Sequence, residues 1–201
     1  MKKSNMITIL GSGISAHNYE IKTSSVIVSN GSLLSPSIKG KSITWITGGD
    51  TGQRVDHYKN IVDNAAKIPT SIVIQYNEIQ HINDILKFAQ YAKKAFEIDP
   101  IFIPSYRPIE CEQFTKNVIS TGMRCIEIAL KYYNEIFVAG IEMGINTNYD
   151  DTLIKKNAHG YSATLHLEKD KTFLKSLNKN NLNKIKPCDK SGLKKFMDAL
   201  I

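Results

Sequence analysis

Two short stretches carry residues suited to holding an anion. Gly11-Ser12-Gly13-Ile14-Ser15-Ala16 follows the apolar run Met6 to Leu10 and fits the pattern Gly-x-Gly-x-x-Ala. In that pattern the glycines let a phosphate approach the backbone where a helix begins. Ser120-Thr121-Gly122 precedes Met123, Ile126, Leu130 and Tyr133, an apolar stripe spaced three or four apart. Ser120 or Thr121 therefore caps a helix whose first amides attract a carboxylate or phosphate. A plain tight turn and a plain cap account for the same residues without any ligand.

Groups able to move a proton lie mainly in the last third of the chain. His159 sits in the glycine-containing stretch Ala158-His159-Gly160-Tyr161, and His166 stands where helical patterning resumes, whereas His17, His57 and His81 have no comparable setting. Asp150-Asp151 resembles the carboxylate pair that bridges a divalent cation to a diphosphate, but adjacent acids in an Asn/Thr-rich stretch are usually solvated. Cys111, Cys125 and Cys188 are odd in number and lack C-x-x-C spacing, which indicates neither a disulfide framework nor a zinc site.

The elements that must position these groups alternate. Met6–Leu10, Ser25–Ser29, Ser42–Ile46, Ser71–Gln75 and Glu135–Ala139 read as buried strands, each followed by turn residues, with a small candidate at Ile101–Ile103. Helical periodicity covers about Gln53 to Ala66, Ile79 to Phe96, the stretch after Ser120, and the chain from about His166 through Phe173, Leu174 and Leu177. The expected fold is an α/β, Rossmann-like three-layer sandwich with a mostly parallel sheet and helices on both faces. Residues 143–165 are polar and aperiodic and read as a lid. The domain spans 1–178, and 179–201 reads as a basic linker with an amphipathic C-terminal helix packed on or beside it.

With 201 residues and 42% hydrophobic content, one core can form without metal or disulfides. The apolar stretch before Gly11 is too short for a signal peptide, and no run is long enough to span a membrane, so a cytoplasmic protein is expected. Of the net charge of +7, residues 165–201 contribute nine lysines against Glu168, Asp170, Asp189 and Asp198. Such a tail suits an anionic surface, although lysines on a solvated helix face are commoner.

The residues also resemble a family, the bacterial sialyltransferases that use CMP-activated sialic acid (glycosyltransferase family 42). The likeness lies in Gly11-Ser12-Gly13-Ile14-Ser15 after the first strand, in Asn30 after the second, and above all in ISTGMRCIEIALKYYNEIFVAGIEMG from Ile119 to Gly144. It extends loosely over 159–177 and covers about half the chain. The chain departs from the family pattern at Val118, where the family has Arg, at Glu142, where it has Asp, and at Met143-Gly144, where it has an aromatic pair. These positions bear on acceptor choice and on the donor sugar.

The resemblance implies a metal-independent, inverting transfer of sialic acid, or a related keto-sugar acid, from a CMP donor to a bacterial surface glycan. It implies His166 as general base, with His159 as the competing residue, and Tyr149 and Tyr161 as phenols facing the leaving phosphate. Gly11, Ser12, Gly13, Asn30, Thr47 and Gly140 would hold the nucleotide, and Ser120, Thr121 and Gly122 the sugar carboxylate and phosphate. No cofactor or metal is expected, since one phosphate needs no bridging cation. Expected partners are the CMP donor, a glycan or lipid-linked acceptor, a membrane surface met through the basic C-terminal helix, and a second copy of the chain, with no nucleic acid.

Two readings of other classes compete. The glycine spacing alone suggests a nicotinamide-dependent oxidoreductase. The chain instead has Ser29-Asn30-Gly31-Ser32 where a ribose-binding acid belongs, and a poorly patterned segment, with Asn18, Glu20 and Thr23, where the crossover helix belongs. The basic tail suggests a non-catalytic nucleotide-binding module, though its lysines lack interleaved aromatics.

Overall fold

Short β-branched runs bounded by turn residues pair side by side because each is apolar on both faces, and helices cover those faces. The structure, a computed structural model, describes residues 5–16, 18–49, 51–65, 67–76, 81–104, 119–143 and 166–200. Its strands are Met6–Leu10 (β1), Ser25–Ser29 (β2), Ser42–Ile46 (β3), Ser71–Tyr76 (β4), Ile101–Pro104 (β5), Glu135–Ala139 (β6) and Ile185–Pro187 (β7). They form one sheet in the order β5-β4-β3-β2-β1-β6-β7. Every pairing is parallel.

The helices are Val55–Asp63 (α1), Ile82–Phe96 (α2), Thr121–Tyr132 (α3), Leu167–Ser176 (α4), Lys179–Lys184 (α5) and Gly192–Asp198 (α6). Alternation along the strands separates two cores. Leu10, Val26, Val28, Ile43, Trp45, Ile72 and Ile74 pack with Tyr58 of α1 and Phe88 of α2. Ile7, Ile9, Ile27, Ile136 and Val138 pack with residues of α3, α4 and α6 on the opposite face. The sheet is thus the middle of three layers, a Rossmann-like sandwich. Trp45, wholly buried, meets Phe88 and Phe96 edge-on with centroids 6.1 and 6.3 Å away, and donates its indole N–H to the Asn30 carbonyl at 3.0 Å.

The expected strands and helices are present, with ends moved by a few residues. Two elements were not anticipated. The stretch read as a linker contains α5 and β7. Its helix lacks an apolar stripe and is held by its cap, the Asn178 side chain accepting from the Asn181 amide at 2.9 Å. The strand has only three residues, with Ile185 buried, Lys186 exposed and Pro187 tolerated because β7 is an edge. The segment between β1 and β2, doubted as a helix on sequence grounds, forms only a three-residue 3-10 turn, Ile14–Ala16. Of the lid at 143–165, only Met143 lies among the described residues.

The chain adds strands outward from β1 to β5 and then returns to place β6 on the other side of β1. Strand order therefore reverses between β1 and β6, and the crevice beyond their carboxyl ends is where open parallel sheets bind ligands. The register Leu10↔Ala139 brings Gly11 opposite Gly140 at that point. A Cβ on Gly140 would lie 2.1 Å from the Gly11 carbonyl oxygen, and the residue has a φ of +76°. Gly40 has a similar φ of +79° but open space around it. Gly140→Ala is therefore expected to destabilise the protein by about 2–4 kcal/mol and Gly40→Ala by only about 1 kcal/mol. Urea denaturation of the two variants separates backbone collision from dihedral strain.

Candidate functional site

The β1 and β6 exits are knitted together by hydrogen bonds from the glycine turn. Gly11 N–H donates to the Ala139 carbonyl and Gly13 N–H to the Gly140 carbonyl, both at 2.8 Å, while Gly140 N–H donates to Ser15 Oγ at 2.9 Å. Glu142, 5% exposed, fills the space beside the turn. Its carboxylate accepts the Ser15 amide at 2.7 Å through one oxygen and the Gly192 amide at 3.2 Å through the other. A Cβ on Gly13 would fall 2.3 Å from Glu142 Cγ, and one on Gly192 only 1.9 Å from the Glu142 carbonyl oxygen. The glycines are thus explained by contacts within the chain, and the amides of Gly11, Gly13 and Ser15 are turned inward.

This arrangement bears on the dinucleotide pattern. That pattern relies on a full helix after the glycine turn to add its dipole to the phosphate's binding energy. Here the turn opens onto three residues of 3-10 helix, and an internal carboxylate already neutralises one of its amides.

The second stretch lies close by. Virtual Cβ atoms on Gly11 and Gly122 both fall about 3 Å from the Ile141 side chain, at 3.1 and 3.0 Å, so the glycine turn and the start of α3 flank one residue at the β6 exit. Ser120 caps α3 by accepting the Met123 amide at 3.3 Å. Its own amide donates to Asp170 Oδ1 at 2.8 Å. Ser120 therefore has its amide engaged, and Thr121 and Gly122 supply the next amides of the first turn.

Asp170, 5% exposed, belongs to α4, and His166 stands at the start of that helix, where its carbonyl accepts the Asp170 amide at 2.8 Å. Residues four apart on a helix share a face, and a charge on His166 acts on the Asp170 carboxylate. Burial raises the Asp170 pKa above its ordinary 3.8, opposed by the Ser120 hydrogen bonds and by the charges of His166 and Lys169. Ser120 and Asp170 are thus bonded beside the strand switch, with His166 one helical turn before Asp170.

The remaining sequence-derived positions divide. Asn30, with a φ of +48°, follows β2, and its side chain accepts from the Tyr58 hydroxyl at 3.2 Å. Ser12 reaches the Ser29 carbonyl only at 3.5 Å, a marginal bond beside the same corner. Thr47 is fully buried at the end of β3, its hydroxyl accepting from Thr51 at 2.7 Å and from the Gln75 amide at 3.3 Å. It is part of a buried network across β3 and β4, away from the Ile141 cluster. Tyr149, His159, Tyr161 and the Asp150-Asp151 pair lie outside the described residues. Cys125 is wholly buried, and burial pushes its thiol up to about 12, which removes it as a nucleophile near neutrality.

Glu142 and Asp170 were not singled out as site residues by type or spacing. Asp170 had a usable signal, an acid one turn after the candidate histidine. Glu142 had a weaker one, an acid just past a strand that ends in glycine.

Glu142→Ala removes the shared acceptor of two buried amides and is expected to cost about 2–4 kcal/mol, with Glu142→Gln intermediate; chemical denaturation measures both. Asp170 gives a pH-dependent expectation. Its folded pKa lies above the unfolded value, so its contribution to stability is fully present below about pH 4 and is lost as pH rises through the folded value. Melting temperatures across the acid range should therefore shift in favour of Asp170→Asn as the pH is raised, and parallel profiles for the two proteins would contradict this. In comparisons with known proteins, no protein-family model, no curated protein and no solved structure matches the chain.

Proposed function

We propose that the protein is a glycosyltransferase that takes a sialic acid or related keto-sugar acid from a CMP-activated donor and passes it, with inversion, to a glycan hydroxyl. The observation that carries this reading is the convergence, beyond the carboxyl ends of β1 and β6, of the α3 N-terminus with the first turn of the helix that His166 precedes. The resemblance of Ile119 to Gly144 to the CMP-sialic acid transferases supplies the chemical class.

In this reading the acceptor oxygen bonds to the anomeric carbon as the carbon–oxygen bond to the phosphate breaks. The acceptor proton passes to the His166 imidazole, and CMP leaves. The donor's carboxylate and phosphate sit against the first turn of α3, where Thr121 and Gly122 offer amides and the helix dipole favours negative charge. Tyr149 and Tyr161 remain candidate hydrogen-bond donors to the departing phosphate, and His159 the alternative base. Asn30, at the β2 corner, is the candidate contact to the nucleoside, with the Gly11–Gly13 turn as the wall the nucleotide passes. The transfer needs no redox cofactor, and charge on a single phosphate can be met by amides and phenols. The lysines of α6 and the preceding segment suit an anionic lipid-linked acceptor at a membrane face.

The test is CMP release from CMP-N-acetylneuraminate, with and without EDTA, beside calorimetric titration with CMP, UMP and NADH. Expected are CMP binding in preference to UMP, no NADH binding, and release that persists in EDTA. His166→Ala should lower release by about 10²–10⁴-fold while leaving CMP affinity within about threefold. CMP binding without any turnover would favour a non-catalytic binding module, and NADH binding an oxidoreductase.

A further inference from the structure

We propose that Asp170 is a positioning residue for this reaction, its carboxylate fastening the N-terminus of α3, through Ser120, to the first turn of α4 that carries His166. The inference rests on the transferase reading above and adds to it a residue that touches neither donor nor acceptor.

Neither helix needs this carboxylate for its own formation. Ser120 already caps α3 through Met123, and the link from Ser120 to Asp170 joins residues 50 positions apart. Placing an acid at 5% exposure costs desolvation, and a leucine or alanine there would pack on the same core beside Phe173 and Leu174 without that cost. What the acid adds is geometric and electrostatic. It takes the Ser120 amide at 2.8 Å, which fixes where the next two amides of α3 point. It also stands one turn from His166 and within reach of its charge, so an imidazolium formed during proton transfer has a fixed counter-charge on its own helix. The charged groups acting on Asp170 are His166, the residue that precedes α4, and Lys169 of α4, and the α3 cap contributes the neutral Ser120 amide. One carboxylate thereby sets the spacing between the amides offered to the donor anion and the base offered to the acceptor.

Asp170→Asn keeps the shape and an acceptor oxygen but removes the charge. Expected are a CMP Kd within about twofold of wild type and CMP release from CMP-N-acetylneuraminate slowed at least about tenfold, because small displacements of reacting groups are costly. Unchanged release overturns the proposal, as does an equal loss of CMP affinity and rate. Asp170→Glu, which keeps the charge but displaces it by one methylene from the Ser120 amide, is the second variant if Asp170→Asn does not fold. A smaller fall in rate at constant CMP affinity supports the proposal, and no fall opposes it.

Should the wild type release no CMP, the transferase reading fails and the tie itself is read separately. The Ser120 amide resonance of the free protein should titrate with a carboxylate in the acid range, and that inflection should vanish in Asp170→Asn. A Ser120 amide insensitive to acid in the wild type removes the tie.

Discussion

The backbones of Gly11 and Gly140 meet where β1 and β6 leave the sheet, and the neighbourhood of the candidate site follows from that contact. Five parallel register pairs, Met6↔Glu135 to Leu10↔Ala139, deliver the two chains to this point side by side. Side chains would hold them apart, as the 2.1 Å approach of a virtual Gly140 Cβ to the Gly11 oxygen makes plain. With both residues glycine, the Gly11 amide can close onto the last β6 carbonyl, Ala139, and the Gly13 amide onto Gly140, and the β6 exit then turns through Ile141 and Glu142. Met143, 8% exposed and with a φ of +49°, continues the tight path.

A chemical consequence is that two sets of amides suited to an external anion already hold internal carboxylates. Glu142 takes those of Ser15 and Gly192, and Asp170 takes that of Ser120. Each carboxylate joins elements distant in sequence, so the same feature that reads as a phosphate cradle in one dimension is a fastening in three. On the transferase reading proposed above, a donor anion would have to use the amides these residues leave, which favours the first turn of α3 at Thr121 and Gly122 over the glycine turn.

The layers were legible because apolar runs of five residues ending in turn chemistry have few other interpretations in a chain that also carries helical periodicity. The cap at Ser120 and the absence of a full helix after β1 were legible for similar reasons. Element β7 was not, since Ile185-Lys186-Pro187 is too short and too polar to be seen without its neighbour β6. The roles of Glu142 and Asp170 were not, because each is defined by amides more than 45 residues away. Thr47 shows the reverse limit. A threonine at a strand end is a sound ligand candidate by type, and only burial with Thr51 and Gln75 reveals that its hydroxyl is engaged inside the fold.

The C-terminal segment illustrates how packing changes the meaning of an amphipathic pattern. Leu193 and Met197 are buried against the α3 face of the sheet, Gly192 sits on Glu142, and the Leu193 amide donates to the Ile141 carbonyl at 3.1 Å. The apolar stripe that would enter a lipid interface is therefore occupied by the domain itself, and Lys195 and Asp198 are what α6 leaves exposed. Attraction to an anionic surface by such lysines is electrostatic and salt-sensitive, without the apolar insertion that anchors an interfacial helix. The same packing makes α6 part of the candidate site, because the carboxylate it caps lies beside the glycine turn. Among the described residues no helix is long and apolar enough to cross a membrane. On the transferase reading proposed above, an anionic acceptor surface would be met by exposed lysines and not by insertion of α6.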